Sequence, residues 1–253
     1  MKKIKIDNRE IRVEEGTTVL EAAGRLGIDI PTMCYSEALG PYGSCRVCVV
    51  EIITPKGSKL MTACTYPAWD GLEVRTDSEK VKVARKFVLE LMLARSSNAE
   101  EVKTLAAKYG VKSTPLKKQN ELCILCGLCV RVCDSVIGKS AISFAGRGIE
   151  RRVETPFNTN SEACIGCGAC AFICPTGAIS LEEVNKSRKL HDNTELELFE
   201  CTCCGERFAT FKELDYVKEK IDLPKDLFGL CPKCRRKKFR ASLIEGVDAC
   251  QKS

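Results

Sequence analysis

The residues of this chain that could do chemistry are its cysteines, of which there are 18 among 253 residues. A content this high indicates either a disulfide framework or metal ligation. Disulfide-dense chains are usually small secreted domains that carry an export signal. This chain instead begins with alternating charged and apolar residues, and no apolar run is long enough for a signal peptide or a membrane span. We therefore expect metal ligation in a cytoplasmic protein with no membrane span.

Two cysteine runs in the middle of the chain share the spacing C-x2-C-x2-C-x3-C. In this bacterial ferredoxin pattern three thiolates hold three corners of one 4Fe-4S cubane, and the fourth cysteine ligates the other cubane. Residues 121–184 are thus predicted to form a two-cluster 4Fe-4S ferredoxin-like domain. The first cluster is expected on Cys123, Cys126, Cys129 and Cys174, and the second on Cys133, Cys164, Cys167 and Cys170.

Four cysteines near the N-terminus have a different spacing, C-x10-C-x2-C-x15-C. Zinc sites usually present two C-x2-C pairs, whereas this loop has one pair and two distant single cysteines. Gly40, Gly43 and Ser44 give the loop the freedom to point backbone N–H groups at sulfur. The spacing leaves a 2Fe-2S cluster and a structural zinc as alternatives. The candidate ligands are Cys34, Cys45, Cys48 and Cys64.

The residues around these cysteines resemble a known family. Residues 30–35 (Ile-Pro-Thr-Met-Cys-Tyr) and 43–51 (Gly-Ser-Cys-Arg-Val-Cys-Val-Val-Glu) are similar to the N-terminal 2Fe-2S domain of the complex I large iron–sulfur subunit. The same domain occurs in iron-only hydrogenases and in diaphorase subunits of NAD-linked hydrogenases. The resemblance implies a 2Fe-2S cluster. The insert between the cubane runs, residues 142–157, is predicted to be a hairpin and shares the resemblance.

The family comparison also exposes a missing site. The larger subunits usually carry a 4Fe-4S site with one His and three Cys ligands, but the corresponding region, which begins at residue 94, has neither residue type as far as residue 120. Apolar residues recur near a 3.6 period over 81–92, which predicts a helix. A second helix is expected over 99–109, with Gly110 after it as the C-cap. Residues 77–120 are therefore predicted to be a helical linker.

The elements that must position the N-terminal loop can also be predicted. Alternating runs within residues 4–13 predict a β-hairpin, and residues 47–53 have the β-branched content of a strand. Thr17 or Thr18 can cap a helix over 19–26. These elements predict a β-grasp ferredoxin-like domain over residues 1–76, and the fold class of the whole chain is α+β.

The C-terminal tail, residues 195–253, carries two C-x2-C pairs about 26 residues apart, with a helix predicted between them over 211–217. Two such pairs are typical of a four-cysteine zinc-ribbon-like module. Zinc is the expected metal, and a further iron–sulfur cluster is the alternative. Cys203 keeps the choice of ligands open, and Cys250 is expected to be a free thiol. The expected ligands are Cys201, Cys204, Cys231 and Cys234.

Two remaining features are expected to have no special chemistry. The only histidine, His191, lies in a polar stretch and is expected to be solvated rather than a ligand. The basic run 235–238 is expected to be a solvated face or a docking patch for a partner subunit.

The net charge of +6 counts every cysteine as neutral. Ligand thiolates would offset it, so no nucleic-acid partner is predicted.

The predicted function is electron relay rather than catalysis by the chain itself. No dinucleotide-binding or phosphate-binding motif is present, and one histidine cannot supply a catalytic triad. The resemblance implies a subunit that passes single electrons between a flavin- and NAD(P)-binding diaphorase-type partner and a hydrogenase, formate dehydrogenase or related catalytic partner. Ferredoxin is a further candidate partner, and the host complex could bifurcate electrons. The alternatives are a self-sufficient oxidoreductase and a nucleic-acid-binding iron–sulfur protein.

Overall fold

The computed structural model of the protein describes residues 1–191, 193–221 and 224–242. The chain divides into two compact units, and it passes from one to the other inside the ferredoxin-like region. The first unit contains Met1–Val132, Gly146–Arg152 and Ile173–Ala178, and the second contains Cys133–Ala145, Val153–Phe172 and the chain from Ile179 onward.

The first unit is built on a mixed five-stranded sheet in the order β2-β1-β5-β3-β4. Strands β1 and β2 form the predicted hairpin, with Ile4 opposite Ile11, while β1 runs parallel to β5. The alternation of Ile4 and Ile6 places both side chains in the core, where they are almost fully buried. The strands are β1 (Lys2–Ile6), β2 (Arg9–Val13), β3 (Val49–Thr54), β4 (Gly57–Thr62) and β5 (Glu73–Arg75).

Helix α1 (Val19–Arg25) packs its Val19, Ala22 and Ala23 side chains into the same core. Thr18 caps the helix through a reciprocal pair of hydrogen bonds with Glu21, which satisfies two backbone N–H groups that the helix leaves free. The prediction of a capped helix after the hairpin is confirmed.

Helices α2 (Glu79–Arg95) and α3 (Glu100–Lys108) confirm the helical prediction for this segment. Gly110 follows α3 with a φ of 74°, as expected of a C-cap glycine. The two helices form a second core with Val47 of the N-terminal cysteine loop, through buried residues such as Leu89 and Val102. The two helices therefore pack against the N-terminal cysteine loop, whereas the sequence predicted only that they link the two cluster domains.

The cubane loops are joined by short elements. Cys129 lies in helix α4 (Leu128–Arg131), which continues into one π-helical turn, Val132–Val136. Strands β6 (Ser143–Ala145) and β7 (Arg152–Glu154) form a two-stranded sheet, which confirms the predicted hairpin in the insert. Cys170 lies in helix α5 (Ala169–Phe172).

The second unit contains an antiparallel four-stranded sheet in the order β11-β10-β9-β8. Its strands are β8 (Leu181–Val184), β9 (Ser187–Leu190), β10 (Thr194–Glu200) and β11 (Arg207–Thr210). Helix α6 (Phe211–Lys220) confirms the predicted tail helix, and α7 (Lys225–Phe228) and α8 (Pro232–Ser242) follow it.

The fold is thus α+β, as predicted. Within the described part of the chain, none of the helices combines the length and apolar character that crossing a bilayer requires.

Candidate iron–sulfur and metal sites

The N-terminal cysteines lie in two pairs. The sulfurs of Cys48 and Cys64 are 3.4 Å apart. The backbone N–H of Cys45 lies 3.3 Å from the sulfur of Cys34, and a hydrogen bond from the Cys45 side chain lowers the pKa of Cys34 to about 6. A 2Fe-2S cluster has two irons, each held by two thiolates. The paired donors therefore fit a 2Fe-2S cluster.

Arg85 anchors this cysteine loop to helix α2. Its guanidinium group is buried and donates hydrogen bonds to the backbone oxygens of Val47 (3.2 Å) and Val49 (2.8 Å). A third bond goes to the Thr76 carbonyl after strand β5. A single side chain from the helical segment thus fixes the backbone on both sides of Cys48.

The cysteines predicted to hold the first cubane all lie in the first unit, where Cys174 joins Cys123, Cys126 and Cys129. Burial raises the pKa of Cys126 to about 11 and of Cys129 to about 12, with the charge of Cys174 among the further causes. Arg95 and Ser96 hold the Cys123 carbonyl at 3.0 and 3.1 Å. The N–H of Leu125 lies 3.4 Å from the Cys123 sulfur. Buried thiols with N–H donors aimed at sulfur suit metal-bound thiolates.

The 2Fe-2S loop and the first cubane loop contact each other directly. Cys34 packs in one apolar cluster with Cys126 and Leu128. The Ser44 hydroxyl donates a 3.2 Å hydrogen bond to the Leu125 carbonyl. Arg131 donates to the carbonyls of Leu39 and of Gly40, the latter at 3.2 Å. The two predicted ligand sets of the first unit are therefore neighbours in space.

The four cysteines predicted to hold the second cubane line one pocket in the second unit. Helix α5 and the turns before it contribute three cysteines, and the π-helical turn contributes the fourth, whose sulfur lies 3.2 Å from the Ala141 N–H. Apolar residues such as Ile142 and Leu190 complete the wall and limit the access of water. The four cysteines that line the pocket are Cys133, Cys164, Cys167 and Cys170.

The four-stranded sheet supports the second cubane loop, a role that sequence reasoning missed. Arg188 on β9 donates a 2.8 Å hydrogen bond to the Gly166 carbonyl, and the Thr210 hydroxyl donates to the Ile165 carbonyl. A β-carbon on Gly166 would lie 2.7 Å from the Thr210 methyl group and 2.8 Å from Leu196. The close approach of sheet and loop therefore requires glycine at this position.

The expectation that His191 is solvated is wrong. The residue is half-buried and lines the pocket of the second cubane, with Nε2 at 3.6 Å from the sulfur of Cys170. The reason is the hairpin between β9 and β10, which brings the stretch that looked like a polar linker back over the cluster loop. Polar neighbours in the sequence gave no sign of this position.

The four tail cysteines predicted as ligands lie close together. The sulfurs of the four predicted ligands all lie within 4.8 Å of one another, and those of Cys204 and Cys231 are 3.8 Å apart. Zinc–sulfur bonds of ~2.3 Å in a tetrahedron place sulfurs ~3.8 Å apart. In a cubane site the whole 4Fe-4S core lies between the four thiolates, so their sulfurs are farther apart than around one zinc ion. The donor set Cys201, Cys204, Cys231 and Cys234 thus fits one tetrahedral metal ion.

Other features of the tail can be placed in part. Cys203 is buried but does not belong to the four-sulfur group. Cys250 lies outside the described residues. The basic run lies on α8, where Arg235 is half-buried and donates a 2.8 Å hydrogen bond to the Leu230 carbonyl, so this arginine is not simply part of a solvated face.

Comparison with known families assigns two domains. Residues 2–79 match the 2Fe-2S iron-sulfur cluster binding domain. Residues 122–178 match the 4Fe-4S dicluster domain. The chain is therefore an iron–sulfur protein that combines a 2Fe-2S domain, a 4Fe-4S dicluster domain and a C-terminal cysteine site.

The relatives are subunits of redox complexes. The chain is 33% identical over 180 residues to an NADH-quinone oxidoreductase subunit of Rhizobium meliloti. The match covers 60% of this chain and 21% of that protein. It is 34% identical over 181 residues to the alpha subunit of the NADPH-Fe(3+) oxidoreductase of Geobacter sulfurreducens, covering 61% and 21%. It is 35% identical over 175 residues to the HndD subunit of the NADP-reducing hydrogenase of Solidesulfovibrio fructosivorans, covering 57% and 30%.

The chain thus spans only about a fifth to a third of the length of these relatives. Among solved structures it resembles a chain of an NAD⁺-reducing [NiFe]-hydrogenase in the H2-reduced state, with a TM-score of 0.60 and 26% identity. That match covers 91% of this chain and 99% of the other. The relatives are thus subunits of NAD(P)-linked oxidoreductases and hydrogenases, which confirms the family resemblance drawn from the sequence.

Proposed function

We propose that the protein is an electron-relay subunit that holds one 2Fe-2S cluster, two 4Fe-4S clusters and one zinc ion. The observation that carries the proposal is the contact between the 2Fe-2S loop and the first cubane loop, through the hydrogen bond from Ser44 to Leu125 and the packing of Cys34 on Cys126. When bound, the clusters would supply one-electron redox chemistry. A relay needs neighbouring redox sites, and these residues bring two candidate sites together.

The protein's own residues would hold, shield and tune these groups. Burial of Cys34, Cys48, Cys64, Cys126 and Cys129 keeps water from the sulfurs. Backbone N–H groups at Cys45, Leu125 and Ala141 point at ligand sulfurs, where they would stabilise thiolate charge. The tail site would be structural, because a zinc ion held by four cysteines has no open coordination position.

We further propose that the partners are a flavin- and NAD(P)-binding diaphorase-type subunit and a catalytic oxidoreductase subunit. The names of the relatives support an NAD(P)-linked complex, since each refers to NADH, NADPH or NADP. Within that class a hydrogenase partner is favoured by the likeness to the NAD⁺-reducing [NiFe]-hydrogenase chain. We also propose a cytoplasmic location, because a chain whose cysteines ligate metal needs a reducing compartment that keeps them from forming disulfides.

The test is metal and acid-labile sulfide analysis of the anaerobically purified full chain, combined with low-temperature EPR. The expected result is about 10 iron and one zinc per chain, with one 2Fe-2S and two 4Fe-4S signals. Partial reduction should show magnetic interaction between the 2Fe-2S cluster and one cubane. About 14 iron without zinc would place a further cluster in the tail. An iron content of about 8 or below in intact material would contradict the assignment of the N-terminal loop.

A further inference from the structure

We propose that His191 sets the reduction potential of the second 4Fe-4S cluster by donating a hydrogen bond from Nε2 to the sulfur of Cys170. The proposal rests on the function proposed above and goes beyond it, because it assigns a role to a residue outside every cysteine motif. The starting observation is the distance of 3.6 Å between Nε2 and the Cys170 sulfur.

The position of His191 is held by the surrounding fold. The residue follows strand β9 and has a φ of 56°, a left-handed conformation that residues other than glycine adopt uncommonly. The turn is closed by the pairing of Leu190 with Thr194. Two residues after His191, the Asn193 side chain donates a 3.1 Å hydrogen bond to the Asn158 carbonyl. These contacts on both sides of the turn hold the backbone of His191 in place.

The chemistry of the pair determines the direction of the hydrogen bond. A metal-bound thiolate has no proton to give, so it accepts and the imidazole must donate from Nε2. His191 is not needed as a ligand, because four cysteines already line the pocket and a cubane has four corners. The imidazole would therefore act through Cys170 as a positioning and tuning residue.

The expected effect follows from charge. Reduction adds an electron to the cluster and increases the negative charge on its sulfurs, so an N–H···S bond strengthens in the reduced state and raises the potential. At the first cubane a different side chain is in this position, since the Thr176 hydroxyl lies 3.7 Å from the sulfur of Cys174. The two cubanes therefore differ in the side chain that contacts a ligand sulfur.

The first experiment uses the wild-type full chain and the fact that it contains a single histidine. Growth on ¹⁵N-histidine labels His191 alone, and pulsed EPR of the dithionite-reduced protein then detects its coupling to cluster spin. We expect a ¹⁵N coupling on the signal of the second 4Fe-4S cluster. Absence of any ¹⁵N coupling on that signal would overturn the proposal, even if no variant could be purified.

The second experiment is an EPR-monitored redox titration of variants at one pH. His191→Phe keeps a ring but removes the donor, and should lower the ratio of reduced to oxidised second cluster at fixed potential about tenfold, equivalent to about 59 mV for one electron. His191→Gln restores an N–H donor and should recover part of the shift. Thr176→Val is the matched control, and should shift the first cluster while leaving the second unchanged.

The failures of the two proposals can be distinguished. If the wild-type protein lacks a second 4Fe-4S signal, the proposed function fails. If His191→Phe binds its full iron and titrates like wild type, the cluster assignment stands and the role of His191 is refuted. A His191→Phe shift of equal size on both cubanes would also refute it, because that result reports a general change of structure rather than a hydrogen bond at Cys170.

Discussion

The Ser44 hydroxyl and the Leu125 carbonyl are 3.2 Å apart although 81 residues separate them in the chain. The bond joins the N-terminal cysteine loop to the first cubane loop, and Arg131 reinforces it from helix α4 through the carbonyls of Leu39 and Gly40. The absence of the His-plus-three-Cys site from the segment between the two domains is therefore compatible with direct contact between the remaining sites.

Arg131→Met should weaken this contact. The substitution leaves two loop carbonyls without their donor, which costs about 1–3 kcal/mol, and it should lower the melting temperature by several degrees. The magnetic interaction between the 2Fe-2S cluster and the first cubane should weaken in parallel, as EPR of the reduced protein would show. Arg9→Met is the control, since Arg9 also donates to a carbonyl, that of Leu26, but in an exposed place. Equal behaviour of the two variants would contradict the proposed role.

Serine substitutions should reveal the crossed ligand sets of the two cubanes. Cys174→Ser should remove or perturb the EPR signal of the first cluster and spare the second, because Cys174 lies in the same unit as Cys126. Cys133→Ser should do the reverse, because Cys133 lines the pocket with Cys164. If Cys133→Ser instead perturbed the cluster held by Cys126, each run would bind its own cubane and the assignment would be wrong.

Cys204→Ser should release the tail metal without changing the iron content. Its sulfur lies 3.8 Å from that of Cys231, so its loss opens the tetrahedron and removes metal-binding free energy that supports the local fold. Elemental analysis should show zinc falling from about one per chain toward zero while iron stays near 10. Cys203→Ser is the neighbouring control and should keep the zinc. Loss of iron from Cys204→Ser would point to a cluster in the tail.

Gly166→Ala should destabilise the second cubane site. The added methyl group would meet Thr210 and Leu196 at less than 3 Å, and the φ of 75° adds backbone strain. Gly138→Ala is a matched control in the same unit, with a φ of 70° but open space around the β-carbon. We expect Gly166→Ala to cost about 1–3 kcal/mol more than Gly138→Ala, measured as a lower temperature of cluster loss by visible absorbance. Equal losses would mean that the sheet does not support the loop.

Much of this protein could be predicted from its sequence because its chemistry is local. The cubane runs and each of the two tail pairs are defined by spacings of a few residues, and the loop from Cys34 to Cys64 contains one such pair, Cys45 and Cys48. The capped helix after Thr18 and the hairpin over residues 2–13 were also predictable, since capping and alternation are short-range signals.

Only the tertiary structure decided which distant residues meet. The contact between Ser44 and Leu125, the hydrogen bonds from Arg85 to the cysteine loop and the approach of His191 to Cys170 all join segments far apart in the chain. The donors Arg85 and His191 have no motif signal in the sequence, because their positions depend on how strands pair and helices pack. The sequence determined the number of cysteine sulfurs. The distances between the tail sulfurs, which distinguish a site for one tetrahedral ion from a site for a cluster, depend on the folded structure.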